Sequence, residues 1–272
     1  MLTYLLIGVL LAWATVLPLA WKWELGLARA SLFTLSAGAL ACLAVVGLGS
    51  LLGLSGIVVA VLVWALTMTC AVAVLAYRFY RDPERTVPMS EGLITSPADG
   101  EVVYVRHVRA GVLPAVSKRG HQRTLEELTR TPLRHQDAVV LGIGMTFLDV
   151  HVNRAPIAGT ITLRRHFAGS FGSLKNPDTA FQNERLTTVI ERDGLQVAVV
   201  QIASRLVRQI VSFVEEGQQV TLGQRIGVIR FGSQVDVVVP ARPDLEVRVR
   251  PGMRVRAGES AIAVIPASRA RA

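Results

Sequence analysis

The stretch Val214-Glu-Glu-Gly-Gln-Gln-Val-Thr-Leu-Gly223 occurs a second time, 35 residues further along, as Val249-Arg-Pro-Gly-Met-Arg-Val-Arg-Ala-Gly258. Both copies share the pattern V-x-x-G-x-x-V-x-x-G. An apolar run follows each copy, at residues 226–229 and 261–265. Glycines at fixed spacing between apolar residues are typical of turns that join short strands. The repeat therefore predicts two copies of one β-rich unit.

This glycine and valine pattern resembles the barrel-sandwich fold of biotinyl and lipoyl carrier domains. Those carriers need a lysine at a hairpin tip, whereas this chain has no lysine after Lys175. Carrier function is thereby excluded, while the fold stands. We predict N-terminal transmembrane helices followed by a β-rich domain with barrel-sandwich-hybrid-like repeats and minor helix.

The first 77 residues have a different composition from the rest. The chain is 51% hydrophobic with a mean hydropathy of +0.44, and two uncharged runs, residues 1–21 and 30–77, supply the excess. One membrane span needs about 20 apolar residues, so the longer run holds two spans. The sequence predicts three transmembrane helices, near residues 2–21, 30–50 and 56–77.

Basic residues next to these spans predict their orientation. Lys22 and Arg29 lie in the first loop, Arg78 and Arg81 follow the third span, and the second loop has no basic residue. The positive-inside rule then predicts a membrane anchor, residues 1–77, and a cytoplasmic domain, residues 78–272. The first span lacks a basic n-region and a cleavage site, so we do not expect a cleaved signal peptide.

Cysteine usage and charge restrict the partners. Cys42 and Cys70 fall inside predicted spans, which predicts packing residues and neither a disulfide nor a metal site. The net charge is +9, but the aromatic residues are few and are not interleaved with the arginines, which argues against nucleic acid. Two alternatives stay open: a basic face towards an anionic membrane surface, and a solvated arginine-rich surface.

The remaining elements are read from local patterns. Asp193-Gly194, between two apolar runs, is a strong hairpin signal. Residues 204–213 are read as a short helix, and residues 106–137, rich in arginine, as a surface loop or a basic excursion towards the membrane. Residues 96–105 are read as a turn that leads into a strand, and further predicted strands are residues 139–145, 147–152, 159–163, 187–191 and 195–202.

Several side chains could carry chemistry. Asp149 and His151 are two residues apart, so on a strand they would share one face, as suits proton transfer; a satisfied structural histidine is the alternative. Asp99 precedes a glycine and could be a turn aspartate. Gly232-Ser233 lies between two strands, where it is either a plain hairpin turn or a strained step with the serine hydroxyl beside the glycine carbonyl.

Five blocks of sequence occur in an order that resembles the short bacterial form of phosphatidylserine decarboxylase. The resemblance runs from about residue 78 to 240. The blocks are Arg78-Phe-Tyr-Arg-Asp-Pro-Glu-Arg85, Ser96-Pro-Ala-Asp-Gly100, Phe147-Leu-Asp-Val-His-Val-Asn-Arg-Ala-Pro156, Asn183-Glu-Arg185 and Arg230-Phe-Gly-Ser-Gln-Val-Asp236.

The resemblance implies a proenzyme that cuts itself between Gly232 and Ser233. Ser233 would attack the Gly232 carbonyl, the resulting ester would eliminate, and Ser233 would become a covalent pyruvoyl cofactor at the head of an α piece, with residues 1–232 as the β piece. The implied reaction converts phosphatidylserine to phosphatidylethanolamine and CO₂. A pyruvoyl carbonyl takes up the electrons that pyridoxal phosphate would otherwise accept.

The resemblance also implies roles for particular side chains. His151 would be the general acid that protonates the product, and Asp99 and Asp149 would polarise or orient a histidine. Arg154, with His166 and Asn183, would bind the substrate. Longer members of the family carry a second histidine where this chain has Arg154, so His151 and His166 both stand as candidates for activating Ser233.

Two other functions fit parts of the pattern. A membrane-anchored adaptor would explain the spans and the repeat, but not the joint occurrence of Asp99, His151 and Gly232-Ser233. A serine hydrolase using Ser233 and His151 would keep an intact chain with a free hydroxyl. The expected location of the decarboxylase is the bacterial inner membrane, and the sequence leaves a homo-oligomer open.

Overall fold

The computed structural model describes residues 1–23, 25–114, 123–172, 174, 181–204, 209–230 and 233–266. Two compact units make up the chain. The first comprises Met1–Arg81 and Thr146–Leu148, and the second comprises Asp82–Met145 and Asp149–Ala272.

The first unit is a bundle of three helices, α1 (Leu2–Lys22), α2 (Leu27–Leu52) and α3 (Gly56–Tyr80), each packed against the other two. Each is long and apolar enough to cross a membrane, which confirms the three predicted helices. Small residues permit the close packing: a Cβ atom on Gly8 would lie 2.6 Å from the carbonyl oxygen of Ala60. In the same unit the Phe147 ring packs on Trp23, with 5.3 Å between ring centroids.

The second unit is built from short antiparallel strands and one short helix. Its strands are β1 (Leu93–Thr95), β2 (Gly100–Val108), β3 (Ala138–Met145), β4 (Val152–Arg154), β5 (Gly159–Phe167), β6 (Arg185–Arg192), β7 (Leu195–Ala203), β8 (Gln209–Ser212), β9 (Gln219–Val220), β10 (Arg225–Arg230), β11 (Ser233–Pro240), β12 (Glu246–Val247), β13 (Arg254–Val255) and β14 (Ala261–Val264), and its helix is α4 (Leu125–Thr129).

Eight strands form one curled sheet in the order β13-β2-β3-β11-β7-β6-β5-β9, and two three-stranded sheets have the orders β1-β14-β12 and β4-β10-β8. Strand β11 is central, and its side chains alternate between two cores. Val235, Val237 and Val239 belong to the main core, whereas Val238 packs in a second core that includes Leu125 of α4. The β-rich architecture with minor helix is confirmed.

The 35-residue repeat is confirmed at the level of single hydrogen bonds. The Gln218 amide donates to the Glu215 carbonyl at 3.2 Å, and the Met253 amide, 35 residues later, donates to Arg250 at 3.1 Å. All four repeat glycines have positive φ, between 74° and 90°, which explains why the pattern needs glycine there. These glycines are Gly217, Gly223, Gly252 and Gly258.

The repeat extends further than the 35-residue offset indicates. Strands β2 and β5 are also equivalent, at an offset of 59 residues. The Val102 amide donates to Met253 at 2.9 Å, and the Ile161 amide donates to Gln218 at 2.9 Å. Strand β2 therefore contacts the second repeat turn in the same way as β5 contacts the first, and the second unit has approximate two-fold symmetry within one chain.

Two local predictions of secondary structure were wrong. Residues 147–152 do not form a strand: after β3 the chain turns, Phe147 and Val150 are buried without a ladder, and pairing resumes only at Val152. The predicted helix over 204–213 is strand β8 at Gln209–Ser212, because these residues pair with β10; residues 205–208 lie outside the described part of the chain.

The basic stretch 106–137 is more ordered than we expected. Its first residues continue β2, and α4 begins at a capping box in which Thr124 Oγ1 accepts from the Glu127 amide at 3.1 Å. Leu113, Leu125 and Leu128 are buried in the second core. The described part of this stretch therefore contains a packed helix as well as loop residues. Residues 115–122 lie outside the described part of the chain.

Candidate active site

Three strand ends meet at the start of β11. In the register of the large sheet, Ser233 pairs with Met145, the last residue of β3, on one side and with Ala203, the last residue of β7, on the other. The chain that leaves Met145 carries Asp149 and His151. The sheet therefore holds the backbone of Ser233 between two fixed neighbours; Gly232, its predicted partner in cleavage, lies outside the described residues.

His151 is fully buried and held at both its ring and its backbone. Its ring Nδ1 lies 2.9 Å from the carbonyl oxygen of Asp149, and its own carbonyl oxygen accepts from the Ile229 amide at 3.2 Å. Ile229 belongs to β10, the strand that precedes Ser233 in the chain. Because a carbonyl oxygen only accepts, Nδ1 carries the hydrogen, and Nε2 is the basic nitrogen of the neutral ring.

Burial lowers the pKa of His151 to about 4, partly offset by the hydrogen bond to Asp149 and by the charge of its carboxylate. The ring is therefore neutral at pH 7 and able to accept a proton at Nε2. A buried, oriented imidazole is the kind of group that enzymes use as a general base and, once protonated, as a general acid.

The prediction that Asp149 and His151 share a strand face was wrong, because both lie in the turn after β3. The structure nevertheless brings them together, through the Asp149 carbonyl rather than its carboxylate. The carboxylate instead accepts from the guanidinium of Arg254, a residue of β13. The Asp149 side chain is only 7% exposed, whereas that of Arg254 is 59% exposed.

Arg254 was missed by the sequence reasoning. It occupies an unspecified position of the 35-residue repeat, where the other copy has Gln219. No sequence signal separates Arg254 from Arg250 and Arg256 of the same copy, because these arginines also replace non-basic residues, Glu215 and Thr221, of the first copy.

Asp99 lies at the same end of the large sheet as Ser233, but its side chain contacts other residues than His151 and Asp149 do. Its two carboxylate oxygens lie 3.0 and 2.8 Å from Nη2 of Arg85, and its Oδ1 also accepts from the Ala257 amide at 2.8 Å. The next residues, Gly100 and Glu101, begin β2 beside Gly144 of β3. Asp99 is thus oriented by an arginine and a backbone amide.

Arg154 is buried and its terminal nitrogens are in use. Nη1 donates to the Gly223 carbonyl at 3.0 Å, and Nη2 donates at 3.1 Å to both the Asp82 carboxylate and the Pro83 carbonyl. A lipid phosphate at Arg154 would have to compete with these three acceptors.

The block Asn183-Glu-Arg185 links the site to its surroundings. Asn183 Nδ2 donates at 2.9 Å to the carbonyl of Ala203, the register neighbour of Ser233, and Glu184 Oε1 lies 2.8 Å from His166 Nε2. Arg185 donates to the carbonyls of Leu128 and Phe181, and burial lowers its pKa to about 10. The block therefore fixes the end of β7 beside Ser233 and orients His166.

A further buried acid, Asp236, lies three residues after Ser233. Its Oδ1 accepts from Gln234 Nε2 at 2.7 Å, and the same amide nitrogen lies 2.9 Å from the Tyr104 hydroxyl. Burial raises the pKa of Asp236 to about 6. Sequence reasoning missed this group because Asp236 occupies an ordinary polar position of the alternating strand.

Comparison with known proteins identifies the class. A model of the phosphatidylserine decarboxylase family matches residues 72–263. A phosphatidylserine decarboxylase proenzyme of Symbiobacterium thermophilum is 38% identical over 205 residues, 75% of this chain and 85% of that protein. The corresponding proenzyme of Erythrobacter litoralis is 37% identical over 225 residues, 81% of this chain and 86% of that protein.

An archaeal protein from Methanocaldococcus jannaschii, provisionally named archaetidylserine decarboxylase proenzyme, is 39% identical over 195 residues, 72% of this chain and 92% of that protein. The fold, the strand ends at Ser233 and these matches define an enzyme of the decarboxylase class. The chain belongs to the phosphatidylserine decarboxylase family.

Proposed function

We propose that this protein is a membrane-bound decarboxylase that makes phosphatidylethanolamine from phosphatidylserine, using a pyruvoyl group formed from its own Ser233. The observation that carries the proposal is the placement of Ser233 at the head of β11, between Met145 and Ala203, with the turn bearing Asp149 and His151 beginning after Met145. Family membership supplies the reaction class.

Self-cleavage is the first step of the proposed mechanism. The Ser233 hydroxyl adds to the Gly232 carbonyl, and the peptide bond is exchanged for an ester as the Ser233 nitrogen takes up a proton. Loss of the Ser233 α-proton then expels the Gly232 carboxylate, and hydrolysis of the new N-terminus releases ammonia. Ladder pairing on both sides of β11 supports this step by holding Ser233 while the bond to Gly232 breaks.

Once formed at residue 233, the pyruvoyl group would supply an electrophilic carbonyl for the substrate amine and an acceptor for the electrons left by CO₂. In the second step His151 moves the proton: Nε2 is the titrating nitrogen, while Nδ1 stays bonded to the Asp149 carbonyl. Asp149 and Arg254 hold the turn that carries His151. Asn183, His166 and Arg154 remain the proposed substrate-binding residues.

The three apolar helices support attachment to a membrane. We place the protein in the bacterial inner membrane, with residues 1–77 as anchor and the catalytic domain, residues 78–272, on the cytoplasmic side, facing an anionic membrane surface. The serine headgroup is common to the substrates that the bacterial and archaeal relatives are named for, so we expect recognition of the headgroup rather than of the lipid backbone.

The deciding experiment is the intact mass of the purified protein, with CO₂ release from phosphatidylserine measured on the same sample. We expect two pieces, with residues 233–272 blocked at the N-terminus by a pyruvoyl group. Ser233→Ala should remain one chain of about the full 29.4 kDa and release no CO₂, whereas the control Ser212→Ala should be cut and active. An intact, active Ser233→Ala protein would refute the proposal.

A further inference from the structure

Residues 82–85, which follow α3 and Arg81, belong to a block of the family resemblance, but none of them is among the proposed catalytic or substrate-binding residues. Its charged side chains, Asp82, Glu84 and Arg85, all form ion pairs within the second unit. We call residues 82–85 the strap.

The first part of the strap contacts one repeat. The Asp82 carboxylate pairs with Arg154 and with Arg225, and Glu84 pairs with Arg225 at 2.8 Å. Arg225 begins β10, two residues after the repeat glycine Gly223. These pairs are partly exposed: the Arg225 side chain is 36% exposed and that of Glu84 is 86% exposed.

The second part of the strap contacts the other repeat and is buried. Arg85, whose side chain is 7% exposed, places Nη2 against both oxygens of Asp99, and its Nη1 lies 3.5 Å from Glu259. Glu259 and Ala257, the other partner of Asp99, flank the repeat glycine Gly258. An arginine with one nitrogen on Asp99 and another near Glu259 holds the Asp99 carboxylate in one orientation.

The sheet register places the backbone of Asp99 at the same end of the large sheet as the start of β11. Glu101 pairs with Gly144, and Gly144 pairs on its other side with Gln234, the residue after Ser233. Adjacent strands lie about 4.8 Å apart, so the head of β2 is two strand spacings from the head of β11. Asp99 immediately precedes β2 at this end of the sheet.

We propose that Arg85 is a positioning residue for self-cleavage and acts through Asp99. The strap would fix the Asp99 carboxylate at the end of the large sheet where Ser233 lies. The inference rests on the proposed function, because it gives Asp99 a part in the cut before Ser233. It also assigns different importance to two sets of contacts: the contacts of Arg85 matter for the cleavage rate, whereas the two ion pairs of Arg225 only attach the strap to the second unit.

The test compares variants of the full chain in membranes by pulse–chase labelling of the proenzyme. Arg85→Gln removes the contacts to Asp99 and Glu259, and the matched control Arg225→Gln removes two ion pairs of the same strap. We expect Arg85→Gln to slow cleavage at least about tenfold, the scale of a misplaced reacting group, and Arg225→Gln to leave it unchanged. Decarboxylation per processed chain should be unchanged in both.

If Arg85→Gln does not fold, a more conservative variant, Arg85→Lys, still tests the inference. Arg85→Lys retains one positive charge but offers a single ammonium, which cannot serve Asp99 and Glu259 together, so its cleavage rate should lie between those of wild type and Arg85→Gln. Cleavage at the wild-type rate in Arg85→Lys or Arg85→Gln, or equal slowing in Arg85→Gln and Arg225→Gln, overturns the inference. Failure of the proposed function shows separately, as splitting or activity in Ser233→Ala.

Discussion

Replacing Asp236 by asparagine should flatten the dependence of stability on pH. The carboxyl is fully buried in the large sheet, and burial raises its pKa from 3.8 to about 6. Between these two values the folded protein keeps a proton that the unfolded chain has lost. Stability from this group is therefore fully present below pH about 4 and is lost as the pH rises through about 6.

The size of the effect follows from the shift. About two pKa units correspond to about 3 kcal/mol of unfolding free energy. For a domain of this size that is about 6–12 °C in melting temperature. Asparagine stays neutral throughout, so the Asp236→Asn protein lacks this loss, while the contributions of all other titrating groups are common to both proteins and cancel in the difference.

The assay is thermal unfolding in detergent between pH 4 and 8, with Asp236→Asn and its parent both carrying Ser233→Ala, so that cleavage does not intervene. Asp193→Asn, in the exposed turn of the β6–β7 hairpin, is the control and should follow the parent curve. The parent should lose about 2 kcal/mol more than Asp236→Asn between pH 4 and 7, because part of the loss has already occurred at pH 4. Parallel curves for the two proteins would show that the buried carboxyl carries no such penalty and would refute the reasoning.

Two further predictions concern the site and the repeat. His151→Gln should lower CO₂ release per processed chain by about 10²- to 10⁴-fold, because a general acid is lost; unchanged release would remove His151 from the mechanism. Gly217→Ala should cost about 1–2 kcal/mol, measured by thermal unfolding, because φ is 84° there and the surrounding space is open. Gly223→Ala should cost more, since its new Cβ would also lie 2.4 Å from Val87; equal losses would contradict the close contact.

Sequence reasoning succeeded where a local pattern has one physical solution. Uncharged runs of about 20 residues have few alternatives to a spanning helix, and the repeat glycines predict turns because each needs a positive φ. The Asp193-Gly194 hairpin is a third case, with φ values of 50° and 77° at its two turn residues.

Sequence reasoning failed where contacts with residues distant in the chain determine the local structure. Residues 147–152 alternate like a strand, yet residues 147–151 form no strand in the structure, and Phe147 and Val150 are buried in a turn instead. Gln209–Ser212 form a strand because β10 offers an edge. The equivalence of β2 and β5 was also hidden, because Ser96-Pro-Ala-Asp-Gly100 and Ala155-Pro-Ile-Ala-Gly159 share little beyond proline and glycine.

In the candidate site, too, the sequence indicates individual residues but not the contacts between them. The motifs identified Asp99, Asp149, His151 and Asn183, but residue order does not reveal which side chains pair. Arg254 meets Asp149 across 105 positions of the chain. Such partners come from the sheet register, which a single sequence does not supply.

The central position of β11 determines how the cleaved protein could fold and refold. A cut before Ser233 would make β11 the first strand of a separate polypeptide, yet that strand pairs with β3 and β7, both from the other polypeptide. Strand β14 is likewise held by β1. The large sheet and the β1-β14-β12 sheet would each contain strands from both polypeptides, so each polypeptide depends on the other for its fold. The protein would fold once, as a single chain, and a mature molecule that unfolded would have to recover its structure through the encounter of two partners.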